Sequence, residues 1–421
     1  MTRALIVIDV QTDFCPGGAL AVQEGDAIVP GINALMTEFP AVILTQDWHP
    51  AGHSSFASSH PGASPFDVTQ MAYGPQVLWP DHCIPGSLGA QFHPDLTTDR
   101  ADLVIRKGFD PAFVASLASF GLSGIANILA AIKTARRYHH VNGNPERYRI
   151  ITFEGAFHGR TLATIAAGGQ EKHLAGFGPM VDGFDQVAFG NLNEMRAAIG
   201  PETAAILVEP VQGEGGVRAM PEECLTGLRK LCDETGTLLI YDEVQCGMGR
   251  TGKLFAHEWA ENAQPDIMCV AKGVGGGFPF GACLMTEEVG VVMQPGSHGS
   301  TYGGNPLAMA VGNAVWDIIS DEAFLAEVRR VSGTVSQGLK SLADSHADKV
   351  DGVTGKGLLT GLKLKSAPKP VQNACREKGL LVGVAGNNVL RLAPPLIIED
   401  SDVRKAVSVM DEALSEWEME G

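Results

Sequence analysis

The chain has 421 residues, 45% hydrophobic and 19% charged, with 51 Gly and 24 Pro, a composition typical of a globular protein with two or three packed units. Its formal net charge of −17 argues against nucleic acid or an anionic membrane as a partner, since both would repel it. The 8 cysteines include no C-x-x-C pair and read as reduced thiols rather than a disulfide framework. The apolar run after Met1 is too short for a signal peptide, and no run of about 18 apolar residues offers a membrane span. The expected setting is the cytoplasm.

The first part reads as α/β, with strand-like runs at residues 4–10, 41–46 and 103–106 separated by Gly/Pro/His-rich stretches. Residues 111–129 are poorly patterned and are taken as a junction. Beyond them, strand-like runs recur at 149–153, 204–208, 237–241, 266–270 and 281–285. A helix is predicted over 221–234, with Leu225, Leu228 and Leu231 on one face and Gly236 just past its end. Strands alternating with helices imply a mostly parallel sheet with helices on both faces. After Asn305-Pro306 come long helices, short strands near 357–363 and 389–392, and a last amphipathic helix over 400–417. The expected division is 1–110 as an α/β fragment, 111–129 as junction, 130–306 as a large domain and 307–421 as a small C-terminal α+β domain.

Two charged residues stand out at strand ends. Asp242 closes the apolar run ending in Ile240-Tyr241, where an unpaired acid is costly and a cationic partner is expected. An N-cap or a metal carboxylate would explain it equally well. Lys272 follows the next run and opens a Gly-rich turn; such a lysine in a partly dry site can act as a nucleophile, or be an ordinary solvated loop residue.

Six ordered motifs add to these residues. They are Ala156-Phe-His-Gly-Arg-Thr161, Val208-Glu-Pro-Val-Gln-Gly-Glu-Gly-Gly216, Asp242-Glu-Val-Gln-Cys-Gly-Met-Gly-Arg-Thr251, Val270-Ala-Lys-Gly273, Gly299-Ser-Thr-Tyr-Gly-Gly-Asn-Pro306 and Leu390-Arg-Leu-Ala-Pro-Pro-Leu396. From about residue 130 onward the chain resembles the acetylornithine aminotransferases, fold-type I enzymes dependent on pyridoxal 5′-phosphate (PLP). The resemblance implies that Lys272 bonds the cofactor aldehyde and shuttles a proton. It implies that Asp242 pairs with the ring nitrogen, Gln245 supports the phenolic oxygen and Phe157 stacks on the ring. Thr301 would bind the phosphate across a homodimer interface. Arg160 and Ser300 would contact the amino donor, and Arg391 the carboxylate of glutamate or 2-oxoglutarate, with Glu214 neutralising it in the other half-reaction. Taken singly, Phe157 could be core and Arg391 a structural ion pair. The implied reaction moves the terminal amine of N-acetylornithine, or a related ornithine-type substrate, to 2-oxoglutarate in arginine biosynthesis. Where the family has a Ser-Gly-Thr/Ala-Glu-Ala phosphate turn, this chain has Ser123-Gly124-Ile125-Ala126-Asn127, so Ser123 and Gly124 remain and the acid is lost. The family's N-terminal segment is not recognised, and the large domain is expected to be truncated.

Residues 1–110 resemble a second family, the nicotinamidases among the isochorismatase-like hydrolases. The carrying stretches are Ala4-Leu-Ile-Val-Ile-Asp9, Thr45-Gln-Asp-Trp-His-Pro-Ala-Gly-His53, Trp79-Pro-Asp-His-Cys83 and Ile105-Arg-Lys-Gly108. The resemblance implies a divalent metal (zinc, iron or manganese) on Asp47, His49, His82 and His53, with Asp9 and Lys107 as two of three catalytic groups. The third, a cysteine on a strand-to-helix turn, is not found, nor is the second half of that fold, so its sheet would keep an open edge and an uncovered face. Three readings follow: a PLP aminotransferase, a metal-dependent amidohydrolase without its nucleophile, or an inactive fusion.

Overall fold

In the N-terminal unit, alternating apolar residues build a small parallel sheet. The computed structural model describes residues 4–71, 74–101, 103–107, 124–294, 296–300 and 303–418. The chain divides into two units, Met1–Ser116 with Gly304–Ala310, and Leu117–Gly303 with Val311–Gly421. The first holds β1 (Ala4–Val7), β2 (Ala41–Asp47), a hairpin of β3 (Val68–Met71) and β4 (Gly74–Val77), and β5 (Leu103–Lys107). The order β1-β2-β5 is parallel throughout. One face packs Val7, Val42 and Leu44 against Val29 and Met36 of helix α1 (Val29–Met36). The strand period of two sends alternate residues to the other face, where Ile6 is 51% and Val104 42% exposed.

The second unit carries the larger sheet. Its strands are β6 (Arg149–Phe153), β7 (Phe184–Val187), β8 (Thr203–Val208), the short pair β9 (Val211–Gln212) and β10 (Arg218–Ala219), then β11 (Leu238–Asp242), β12 (Ile267–Val270) and β13 (Ala282–Met285). The sheet order is β13-β12-β11-β8-β6-β7, parallel except for β13. Every residue of β8 and β11 is buried, as strands covered on both faces require. Helix α2 (Gly124–Val141) packs Ile128, Ala131, Ile132 and Ala135 against Ile150, Ala205, Leu207 and Ile240. It begins within the stretch read as a junction, because Ile128 starts the i, i+3, i+4, i+7 stripe. The predicted helix is found at Glu222–Thr235, with Leu225, Leu228 and Leu231 buried and Gly236 left-handed at its end. The strand β7 was not anticipated; four residues at a sheet edge, two of them polar, give too weak a pattern.

The C-terminal part is an antiparallel sheet of β14 (Val350–Lys356), β15 (Leu359–Leu364), β16 (Gly383–Ala385) and β17 (Val389–Leu392), in the order β14-β15-β17-β16. Helices Glu322–Ser345 and Asp400–Glu416 cover it, burying Val335, Leu339, Val403 and Met410 against Leu362 and Leu390. Asp321 caps the first, its carboxylate accepting the N–H groups of Ala323 and Phe324 at 2.6 and 3.1 Å.

Candidate active site

The parallel strands β8, β11 and β12 lie side by side, and charged residues gather where they end, as ligand sites do in such sheets. Glu209 follows β8, Asp242 closes β11, and Lys272 stands two residues beyond β12. Asp242 is 4% exposed. Its Oδ2 accepts from His158 Nδ1 at 2.9 Å, and its Oδ1 from the Val244 N–H at 3.1 Å. His158 is itself buried, and its Nε2 is sealed with no partner. Glu209 accepts the Phe157 N–H at 2.9 Å. Burial pushes its carboxyl up to about 7, against a lowering by His158 and with a further rise from Asp242.

Lys272 adopts a left-handed backbone, φ 49°, and opens a single 3-10 turn, Lys272–Gly275. Its side chain is exposed and lines a cavity of about 520 Å³ with Gln245, Met248 and Arg250. Gln245 Nε2 donates to Glu214 Oε1 at 3.5 Å. Gly213 leaves room for that side chain, since a Cβ there would lie 1.1 Å from Gln245 Oε1.

Arg391, on β17, donates through Nη1 to Glu214 Oε1 at 2.5 Å and to the Gly213 carbonyl at 2.9 Å. Burial alone would raise the Glu214 carboxyl, but the bond to Arg391 and its charge, with help from Gln245 and Lys272, hold it below its ordinary value. Gly386 N–H and Asn387 Nδ2 add bonds to the carbonyls of Glu214 and Gly215, so the turn between β16 and β17 is tied to the loop bearing Glu214. The Phe157 ring is half-buried, edge-on to His173 at 5.6 Å, and the Arg160 guanidinium lies 5.2 Å from its centroid.

The structure thus links Gln245, Glu214 and Arg391 directly, places Lys272 in a cavity with Gln245, and pairs Phe157 with Arg160. Ser300 is exposed, and Gly124 opens α2. Ser123 and Thr301 lie outside the described residues. His158 and Glu209 were not singled out from the sequence. Both sit inside the quoted motifs, and a Glu-Pro directly after a strand with no exposed residue was the available signal.

In the N-terminal unit, Asp47, His49 and His82 bring their ligand atoms within 4.8 Å of one another. Asp47 Oδ2 lies 3.6 Å from His49 Nε2. His82 Nδ1 bonds the Pro80 carbonyl at 2.7 Å, which fixes that nitrogen as the donor and leaves Nε2 as the ligand atom. His53 is not one of the three; its Nδ1 bonds Ser55 Oγ at 2.7 Å while its ring lies 4.7 Å from that of His49. Asp9 is left-handed, φ 50°, and accepts from Thr45 Oγ1 at 2.7 Å. Lys107 ends β5 in register with Asp47, and its side chain lies outside what the structure describes. All eight cysteines are buried thiols outside any disulfide, so none offers an accessible nucleophile.

Among the described residues no helix is long and apolar enough to cross a membrane. The family model for class-III aminotransferases matches residues 110–414, and that for the isochorismatase domain matches residues 3–120. The acetylornithine aminotransferase of Mesorhizobium japonicum is 59% identical over 289 residues, 69% of this chain and 72% of that protein. That of Agrobacterium fabrum is 54% identical over 309 residues, 73% and 77% of the two chains. Among solved structures, the ornithine aminotransferase of Toxoplasma gondii superposes with a TM-score of 0.67 at 29% identity, covering 70% of this chain and 72% of that one. The N-acetylornithine aminotransferase of Stenotrophomonas maltophilia does so with a TM-score of 0.60 at 33% identity, covering 70% and 74%. Preceded by an isochorismatase domain, the chain belongs to the class-III aminotransferases, a family of PLP-dependent enzymes.

Proposed function

We propose that the chain transfers the terminal amine of N-acetylornithine to 2-oxoglutarate, a step of arginine biosynthesis, and that it does so as a homodimer. The observation that carries this reading is the buried Asp242 carboxylate, backed by His158, one strand from a cavity-lining Lys272. These residues fit the ring of PLP. Asp242 is a buried acid at a strand end, and among the described residues its carboxylate meets no Lys or Arg, only His158 and the Val244 N–H, which suits it to a cationic ring nitrogen. When bound, PLP supplies an electron sink for the bond broken at the amine-bearing carbon. Lys272 Nζ would hold the cofactor through its aldehyde and would move the proton of the amine-bearing carbon. Asp242 would hold negative charge at the ring nitrogen, with His158 fixing the orientation of the carboxylate. Phe157 would cover the ring and Gln245 Nε2 would donate to its phenolic oxygen. Arg391 grips the carboxylate of glutamate or 2-oxoglutarate with its planar fork once Glu214 has given way, and Arg160 and Ser300 contact the amino donor. Ser123, Gly124 and Thr301 would hold the phosphate, Thr301 reaching across the homodimer interface. The visible spectrum of the PLP-loaded chain tests this. Bleaching by N-acetylornithine and recovery with 2-oxoglutarate are expected; a spectrum indifferent to both would reject the reading.

The cluster of Asp47, His49 and His82 supports a second assignment, a divalent metal such as zinc, iron or manganese in the N-terminal unit, with His53 beside it. With every thiol buried, amide hydrolysis through a covalent cysteine is not part of it. Zinc should raise the melting temperature of the wild-type chain and not that of Asp47→Ala; equal shifts would remove the site.

A further inference from the structure

Two acids, not one, stand at the ends of neighbouring parallel strands. Val208 pairs with Tyr241 across β8 and β11, so Glu209 and Asp242 come level at the same edge of the sheet. Asp242 has a role in the reaction proposed above; Glu209, 5% exposed, has none so far. A buried carboxyl in such a place is costly unless its oxygens are satisfied. Glu209 accepts the N–H of Phe157 at 2.9 Å, in the turn after β6 that carries Phe157, His158 and Arg160. Glu209 itself leads from β8 toward the loop that carries Glu214 and gives the Gly213 carbonyl to Arg391, so this bond ties the two segments together. Gln212 Nε2, on β9, adds a bond to the Glu154 carbonyl at 3.1 Å.

The electrostatic surroundings are equally specific. His158, bonded to Asp242, acts on Glu209 from the turn, and Asp242 acts on it from β11. Arg218 faces it from β10 and Cys246 from the turn after β11. Glu209 therefore touches the cofactor wall at two levels, by geometry and by charge.

We propose that Glu209 is a positioning residue of the PLP site: it locks the Phe157 turn to the Gly213-Glu214 loop, and through His158 it sets the charge behind Asp242. The inference rests on the aminotransferase reading. Its two halves separate under substitution. Glu209→Gln keeps an oxygen for the Phe157 N–H but cannot ionise; Glu209→Ala keeps neither. Burial pushes the Glu209 carboxyl up to about 7, so wild type gains negative charge behind Asp242 between pH 6 and pH 8 and holds a cationic ring nitrogen more tightly.

The test is the PLP dissociation constant of wild type and both variants at pH 6 and pH 8, with melting of the PLP-free proteins as a fold control. Glu209→Ala is expected to weaken PLP about fivefold or more at both pH values, the size of one lost hydrogen bond. Glu209→Gln should match wild type within about threefold at pH 6 and fall behind it at pH 8. Taking the ratio to wild type cancels the titration of the cofactor's own phosphate. Should Glu209→Ala fail to fold, the Glu209→Gln ratio alone decides. A ratio that is flat between the two pH values, or a Glu209→Ala chain that binds PLP like wild type, overturns the proposal while leaving the aminotransferase reading intact. A wild-type chain that takes up no PLP overturns both.

Discussion

Replacing Glu214 by Gln should make the chain bind 2-oxoglutarate more tightly. Arg391 is held by Glu214 Oε1 at 2.5 Å, a charge-assisted bond, and by the Gly213 carbonyl at 2.9 Å. A substrate carboxylate reaching for the same guanidinium must displace Glu214 first. Charged hydrogen bonds contribute about 1.5–3 kcal/mol, but here the Glu214 side chain is 35% exposed, so solvent screening reduces the figure to about 1–2 kcal/mol. Glutamine keeps a weaker bond to the guanidinium and removes the competing negative charge. Most of that energy returns to the incoming carboxylate, a gain of about 5- to 30-fold in affinity. The assay is steady-state KM for 2-oxoglutarate and for glutamate, with N-acetylornithine varied separately. KM for the dicarboxylates should fall by that factor, while KM for N-acetylornithine holds or rises as Arg391 is left uncovered. Arg391→Lys, which loses the two-pronged grip, should raise KM for 2-oxoglutarate. A KM for 2-oxoglutarate that does not fall in Glu214→Gln would refute the idea that Glu214 guards Arg391.

Other substitutions probe separate parts of the chain. Gly213→Ala brings a Cβ to 1.1 Å from Gln245 Oε1, the end of a flexible side chain, so the fold should survive with Gln245 displaced; the expected result is weaker PLP binding with a melting temperature near wild type. Leu339→Ala, at a fully buried position in the C-terminal part, should cost about 2–5 kcal/mol in urea unfolding, whereas a loss under 1 kcal/mol would contradict its packing. The PLP-free chain should lose stability as pH rises from about 4.5 to about 7. Folded Glu209, raised by burial, keeps its proton over that window while the unfolded chain releases it, and Glu209→Gln should flatten this part of the melting profile.

How much of this was legible in the sequence depends on how local each signal was. The strands β6, β8, β11 and β12 were readable because fully buried strands are nearly unbroken apolar runs. Asp242 and Lys272 were readable because a charge directly after such a run is unusual. The reversal of β13 was not, since an antiparallel neighbour has the same composition as a parallel one. The contact between Glu214 and Arg391 joins residues 177 apart and was named only through family likeness. His158 and Glu209 were on view in their motifs, yet their roles come from contacts across the sheet edge, 84 residues for His158–Asp242 and 52 for Glu209–Phe157. The first turns of α2 fall within the stretch read as a junction because Gly124-Ile125-Ala126-Asn127 resembles a loop until Ile128 finds the sheet.

The left-handed backbone at Lys272 bears on how such a chain can evolve. At φ 49° a side chain with a Cβ is held in a conformation that glycine adopts without strain. The fold would accept glycine there more readily than lysine, and the chemistry requires the lysine. Selection for heat resistance alone would therefore favour losing Lys272, whereas selection for turnover keeps it. A search for hardier variants that screened only for folded protein would enrich chains that have lost the amine, and the two pressures can be satisfied together only by changes elsewhere that compensate for the strained turn.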